Sequence, residues 1–345
     1  MNLKELSLTL GLSQTTVSRA LNGFPEVSET TRHRVTEAAR LHNYRPNARA
    51  KALAIGRAMA IGHVVPIRSQ HEIVNPVFAD FIAGAGEVYA AADHDIILSV
   101  VTDDDEAGAY RNLRARGTVD GVIVHWPRVN DPRIALLHEI GMPFVVHGRS
   151  SRARLPYNWV DVNNTRAFRA ATNYLLDLGH RRIALVNGLE EMDFAHCRRA
   201  GYLRALSEAG ITADPGLMRS EEMTEDYGYR SARDLFGQAD PPTAFITASL
   251  ISAIGVRRAI EGAGLKMGRD ISVVTHDDVL SYLRNGDDVP IFTATRSSVR
   301  DAGRLAAEML LAAIADPGAK PQGRLLRAEL VIGQSTGPGP EPRAR

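Results

Sequence analysis

The chain opens with short helical periodicities. Leu3, Leu6 and Leu10, spaced by three and four, predict the apolar face of a helix over residues 3–10. Gly11 tolerates the left-handed conformation that closes a helix, and Ser13 offers a hydroxyl to cap the next one. From Gln14 to Leu21 the pattern predicts a second short helix, with Val17 and Leu21 inward and Gln14, Thr15, Ser18, Arg19 and Asn22 outward. A third helix over roughly 29–41, starting behind Val27 and Ser28, is expected to bury Val35, Ala38 and Leu41. After residue 60 the pattern changes. β-Branched runs at 61–65, 96–101, 122–125, 144–147, 160–162, 183–186, 244–247 and 271–275 alternate with helical stretches near 76–91, 105–116, 131–140, 164–178, 195–209, 226–237 and 251–263. Such alternation predicts parallel sheets flanked by helices, as one large sheet or two smaller ones.

Two short helices around a tight glycine turn form the helix-turn-helix pattern. The outward residues of the second suit a DNA major groove: an amide bonds an adenine edge bidentately, and an arginine reaches guanine or phosphate. A plain three-helix bundle with a polar outer face is the alternative. Residues 43–57 read as a linker. Pro46 breaks the preceding helix, Asn47 can cap a new turn, and the alanine-rich stretch is too short to be a stable helix alone. Leu53, apolar on a basic segment, has the character of a minor-groove wedge.

Charge strengthens this division. Residues 1–57 carry nine Lys/Arg and four Asp/Glu, a net +5, whereas the rest of the chain is mildly acidic and the whole is +1. A basic head on an acidic body points to nucleic acid at one end and a different task at the other. At 345 residues, 44% hydrophobic and 23% charged, the composition excludes a wholly disordered or collagen-like chain. The single cysteine, Cys197, excludes an intrachain disulfide. The sequence has neither the apolar run of a membrane span nor a signal-peptide pattern, so a cytoplasmic protein without membrane attachment is expected.

The head motifs are specific. The T-V-S-R-x-L-N-G stretch, the V-S-x-x-T-R-x-R-V stretch and the N-Y-R-P-N sequence, in that order and spacing, resemble the LacI/GalR family of bacterial transcriptional repressors. The resemblance implies that Gln14 and Thr15 begin a recognition helix that reads bases. It implies phosphate or mixed contacts for Thr16, Ser18, Arg19 and Asn22. A hinge helix from Asn47 to Ala54 would add Asn47, Ala50 and the intercalating Leu53 to the DNA contacts. The likeness continues through NPVFADFIAGAGE, LLDLGHRRIALVNG, CRRAGYLRALSEAGI, VVTHDDV and ELVIGQST. The implied fold class is α/β: a helix-turn-helix head of three helices plus hinge helix, then a two-lobed, periplasmic-binding-protein-like core. The expected divisions are a DNA-binding domain at 1–46, hinge and linker at 47–57, and an effector-binding and dimerisation core at 58–336. Lobe one would take about 58–160 and 292–321, lobe two about 161–291 and 322–336, with crossings near 160, 291 and 321. A disordered tail would follow at 337–345, without the leucine heptads of a tetramerisation helix.

Parallel sheets place ligands beyond the carboxyl ends of their strands. The family match puts Arg198 and Asp277 at effector-binding positions, and an arginine fork with a carboxylate suits vicinal sugar hydroxyls. Phe78 and Trp126 are candidates for the apolar wall, and His125, His147 and Asp161 end or follow strands that point to the cleft; Trp159 reads as core. Ser249 and Leu250 stand where the family commonly has Asn-Asp, so the shorter Ser249 hydroxyl would stand in as the effector contact, and His276 stands where many members have an aromatic; a wider pocket for a disaccharide or substituted sugar is therefore expected. No dinucleotide loop, nucleophile elbow or metal-ligand spacing is present, and Asp103 to Asp105 read as a solvated helix start. No enzyme, cofactor or metal is therefore expected. The resulting expectation is a homodimeric repressor on a near-palindromic operator of double-stranded DNA, released by a sugar. A purine- or nucleoside-responsive repressor and a transporter's solute-binding protein are the alternatives.

Overall fold

In the head, each helix begins at a side-chain cap. Asn2 and Glu5 form a reciprocal capping box on α1 (Leu3–Leu10), Ser13 Oγ accepts the Thr16 N–H on α2 (Gln14–Leu21), and Ser28 Oγ accepts the Thr31 N–H on α3 (Glu29–Leu41). Gly11 closes α1 in the left-handed conformation, φ 63°. Leu6, Val17, Ala20, Val27, Val35 and Ala39 make the small core. Ala39, one position beyond the expected Ala38, points inward, and Leu41 is 72% exposed because α3 turns it past the reach of α1 and α2. These coordinates come from a computed structural model, which describes residues 1–44, 56–67, 74–102 and 105–340. The chain divides into two compact units, Met1–Met59 and Ala60–Arg345.

The second unit contains two six-stranded sheets. The first comprises β1 (Ala60–Ile67), β2 (Asp95–Thr102), β3 (Gly121–Val124), β4 (Phe144–His147), β5 (Asn158–Val162) and β11 (Gly323–Leu326), ordered β11-β5-β4-β3-β1-β2 and parallel throughout. The second comprises β6 (Ile183–Asn187), β7 (Met218–Ser220), β8 (Ala244–Thr247), β9 (Ser272–Asp277), β10 (Thr293–Arg296) and β12 (Glu329–Val331), ordered β12-β10-β9-β8-β6-β7, with β12 antiparallel to β10. The central strands are buried on both faces, as expected of parallel sheets covered by helices.

The helices α4 (Pro76–Ala91), α5 (Glu106–Arg116), α6 (Pro132–Glu139), α7 (Asn164–Asp177), α8 (Asp193–Glu208), α9 (Glu225–Phe236) and α10 (Leu250–Gly262) fall where the pattern predicts them. An additional helix, α11 (Val299–Ala315), buries Val299, Ala302, Ala306, Ala307, Leu310 and Ile314 against the first sheet. Its buried face combines small alanines with Val299, Leu310 and Ile314, and it lies beyond the strand–helix alternation that ends at residue 275. Three helix pairs meet backbone to backbone at glycines. A Cβ on Gly84 would strike the Arg300 carbonyl, one on Gly201 the Thr165 carbonyl, and one on Gly228 the Ser252 carbonyl.

The chain passes between the lobes after Val162, after Arg296 and after Leu326. The second and third crossings thus fall later than 291 and 321. β10 belongs to the second sheet because it pairs with β9, and β11 to the first because it pairs with β5. Sheet pairing decides this assignment, since β11 is largely exposed and lacks a hydrophobic signature. The expected disordered tail is also corrected over its described part, 337–340. His180 and Ser272 bond the Gly337 carbonyl, Ser272 Oγ accepts the Gly337 N–H, and the Gly339 N–H donates to the Leu178 carbonyl. Gly339 permits this approach, because a Cβ there would meet the Gly179–His180 backbone at 2.6 Å.

Candidate functional site

In the head, the face of α2 away from the core carries Gln14, Thr15 and Arg19, all exposed, with Thr16 and Ser18 half-buried beside them. The Thr16 hydroxyl lies 2.8 Å from Ser13 Oγ, so it serves the cap. Asn22 turns back to bond the Ser18 carbonyl at 2.8 Å and closes the helix. Arg32 and Arg34 bond backbone carbonyls of the turns, Arg32 that of Phe24 and Arg34 that of Leu10, and so lock α3 to α1 and α2. The result is a rigid, uncharged-to-basic face on a short helix. Asn47, Ala50 and Leu53 lie outside the described residues, as do Asp103 and Asp104.

In the second unit, the carboxyl ends of both sheets face a common cleft with two adjoining chambers. The inner chamber, about 110 Å³, is lined by His147 from the end of β4, Asp161 from β5, Asn164, Arg198 from α8, and His276 and Asp278 at the end of β9. Arg198 is buried and projects between the Phe168 and Phe194 rings, 5.0 and 4.9 Å from their centroids. Its Nε donates to Asn164 Oδ1 at 2.8 Å and one Nη to the Ala248 carbonyl at 2.6 Å. Burial lowers the guanidinium pKa to about 10, still fully charged at neutral pH. Burial pushes the Asp161 carboxyl up, against the pull of Arg149, whose Nε lies 2.7 Å from Oδ2. Burial also pushes Asp278 up, but the His276 imidazole and the Arg198 guanidinium outweigh it and hold that carboxyl below the usual range. The inner chamber therefore offers hydrogen-bond donors and acceptors side by side.

Sequence reasoning and structure part at three positions. Asp278, rather than Asp277, lines the chamber. Successive residues at a strand end face opposite ways, and Asp277 instead accepts the Val279 N–H at 2.8 Å and faces Arg296. Ser249 lines neither chamber; it caps α10 by accepting the Ser252 N–H at 3.2 Å. Phe78 also lines neither chamber. It packs behind them, its ring centroid 5.1 Å from His125 and 5.4 Å from Trp126. Trp159 lies over Gly323 on the neighbouring strand, under the Arg149 guanidinium. Asn164 and Arg149, which orient Arg198 and Asp161, escaped the sequence reading; the polar residues that directly follow β4 and β5 were the available signal.

The outer chamber, about 520 Å³, is lined by His125, Trp126, Arg133, Leu189, Met192, Phe194 and Met223, with Glu221 to Asp226 at its rim. His125 and His147 belong to a buried aromatic cluster. His63 Nδ1 and His125 Nε2 share a hydrogen bond of 2.9 Å, and the Phe81 ring stacks on His147 with centroids 4.2 Å apart. Burial keeps these imidazoles neutral, lowering His63 to about 3, His147 to about 4 and His125 well below its ordinary value. Arg133 is buried and paired with Asp131 and Glu106, at 2.6 and 2.7 Å, which outweigh burial and raise its pKa.

A helix-turn-helix head on a two-sheet core with a polar interlobe cleft defines a regulator class in which one unit meets nucleic acid and the other a small molecule. Residues 2–47 match the bacterial regulatory proteins of the lacI family, and residues 172–336 match the periplasmic binding protein-like domain. The chain is 46% identical to the HTH-type transcriptional regulator AglR of Rhizobium meliloti (strain 1021), over 99% of this chain and 96% of that protein. Among solved structures, a transcriptional regulator CelR–cellobiose complex matches with TM-score 0.72 and 28% identity, covering 97% of this chain and 99% of the other. The lac repressor dimer bound to operator and the anti-inducer ONPF matches with TM-score 0.83 and 25% identity, covering 98% and 99%. The chain belongs to the LacI family of bacterial transcriptional regulators. No helix among its described residues is long and apolar enough to cross a membrane.

Proposed function

We propose that the protein is a repressor that binds a near-palindromic operator as a homodimer and releases it when a sugar, of disaccharide size or a substituted sugar, occupies the cleft. The observation that carries the sugar assignment is the inner chamber, where the Arg198 fork stands with Asp161 and Asp278 beside an aromatic wall. Adjacent donors and acceptors match vicinal hydroxyls, and the rings match the apolar face of a pyranose. The cellobiose carried by the CelR relative supports the same ligand class.

Gln14 and Thr15 are assigned to base edges, Arg19 to phosphate or guanine, and Thr16, Ser18 and Asn22 to positioning the helix. The hinge contacts of Asn47, Ala50 and Leu53 complete the assignment. Homodimer formation is supported by β2, an edge strand whose Ile96, Leu98 and Val100 form one apolar face, 37%, 44% and 44% exposed. A solvent-facing apolar edge strand calls for a cover, and a second copy supplies it symmetrically.

Fluorescence anisotropy with labelled operator DNA tests the reading. Disaccharides should release the DNA, and the Leu98→Asp variant should sediment as a monomer with weakened operator binding. Release by a purine and by no sugar would replace the ligand assignment, and unchanged sedimentation would reject the β2 seam.

A further inference from the structure

The cleft carries a partition that a sugar site does not by itself require. Asn75, Trp126, Phe194 and Met223 line both chambers and so form the wall between them. On one side Arg198, Asp161 and Asp278 border about 110 Å³; on the other about 520 Å³ is bounded mainly by apolar side chains, with carboxylates at the rim. Three of the rim carboxylates of the outer chamber are turned to arginines. Glu221 and Asp226 reach Arg230 at 3.0 and 2.7 Å, and Glu225 reaches Arg258 at 3.2 Å. That pairing leaves little free charge there to select a cation. Sites that enclose a whole small ligand generally offer about 300–1,000 Å³. The inner chamber falls short of this, so a ligand that engages Arg198 extends past the wall.

The wall is held under constraint. Trp126 has φ 46°, a left-handed backbone that a bulky residue rarely adopts. Arg133 donates to the carbonyls of His125 and Trp126 at 2.9 and 3.2 Å, and Phe78 supports the indole from behind. A non-glycine residue stays in such a conformation when its surroundings over-determine it, and this is characteristic of ligand clamps. Gly188 keeps the opposite side open, since a Cβ there would meet the Phe194 ring at 2.9 Å.

We propose that Trp126 selects effector length: it seats the second ring of a glycoside with at least two sugar units, while the terminal ring is held by Arg198, Asp161 and Asp278. This rests on the sugar reading and deepens it. A lone hexose in the inner chamber would leave the outer-chamber side of the indole bare. A second pyranose would lay its apolar face on the indole.

Calorimetric titration of the full-length protein with glucose, galactose, maltose, cellobiose and p-nitrophenyl glucoside tests this, using Trp126→Gly and Trp126→Phe. Glycine takes the positive φ without strain, so the first variant removes the ring without adding backbone strain at that position. A disaccharide should bind wild type about tenfold or more tighter than its component hexose. Trp126→Gly should erase that preference by lowering disaccharide affinity far more than hexose affinity, and Trp126→Phe should keep most of it. Equal losses for hexose and disaccharide, or none, would overturn the role of Trp126. Preference for the aryl glucoside over both disaccharides would overturn the second-ring assignment. Silence of wild type toward every sugar would instead remove the sugar reading and the inference together.

Discussion

The head and the effector core use polar side chains in opposite ways. In the head, Gln14, Thr15 and Arg19 stand exposed on one face of α2, and the polar residues that are engaged serve caps and turns. A surface of this kind meets a partner that brings its own rigid pattern of donors and acceptors. In the core, Arg198, Asp161 and Asp278 are removed from bulk water and held by Asn164, Arg149 and His276, with the neutral His125 and His147 in the chamber walls. A small flexible ligand brings little rigidity, so the protein must supply the organisation in advance. The difference teaches that the head's specificity lies in residue identity and the core's in placement.

The largest expected effect would break the comparison at the buried histidines. Their folded pKa values lie below the unfolded value of about 6.5, so below that pH the unfolded chain binds more protons than the native core. Their contribution is complete above pH 6.5 and lost as pH falls toward 4, by about 1.4 kcal/mol per histidine per pH unit. The two tryptophans, Trp126 and Trp159, both lie in the core unit, so urea unfolding followed by indole emission reads that unit. The midpoint should drop steeply between pH 6.5 and 4.5, and His63→Phe should remove about a third of the slope. A flat profile would mean that the core tolerates charge as the head does.

Next in size, Arg198→Ala should weaken sugar binding by about a hundredfold or more, through loss of a buried charged donor, while operator affinity without sugar stays within about twofold. Calorimetry and anisotropy on the same preparation separate these, and parallel losses would show that placement in the core also governs DNA affinity. In the head, Gln14→Ala should cost about 1–3 kcal/mol of discrimination between operator and mismatched DNA. Arg19→Ala should instead lower affinity for all sequences and reduce the slope of log affinity against log salt by about one. The smallest effect is expected for Ser13→Ala. It should destabilise the head by about 1 kcal/mol through loss of the α2 cap and leave sugar affinity unchanged.

These contrasts also explain what was legible. The head was readable almost residue by residue because its helices are short, local and capped by neighbours two or three positions away. Even there Leu41 was misplaced, since a periodic apolar residue is buried only if another helix covers it. In the core, the alternation of strands and helices was readable from β-branched runs, and α11 was missed because it lies beyond the last of those runs, at 271–275. Arg198 was reached through a motif. Asp278 was missed by one residue because strand alternation reverses a side chain's direction at each step. Ser249 showed the same limit: its hydroxyl serves equally as a ligand contact or a helix cap, and the turn into α10 made it a cap.

By itself the sequence determined the family, the α/β class, the helix-turn-helix and the residue types available for a polar cleft. These follow from periodicity, capping chemistry and short motifs, all of which act over a few neighbouring positions. Only the tertiary structure decided which sheet β10 and β11 join, which carboxylate faces the cleft, and how Trp126 divides it. Each of those depends on strand pairing or packing between residues far apart in the chain, where a shift of one position reverses the outcome.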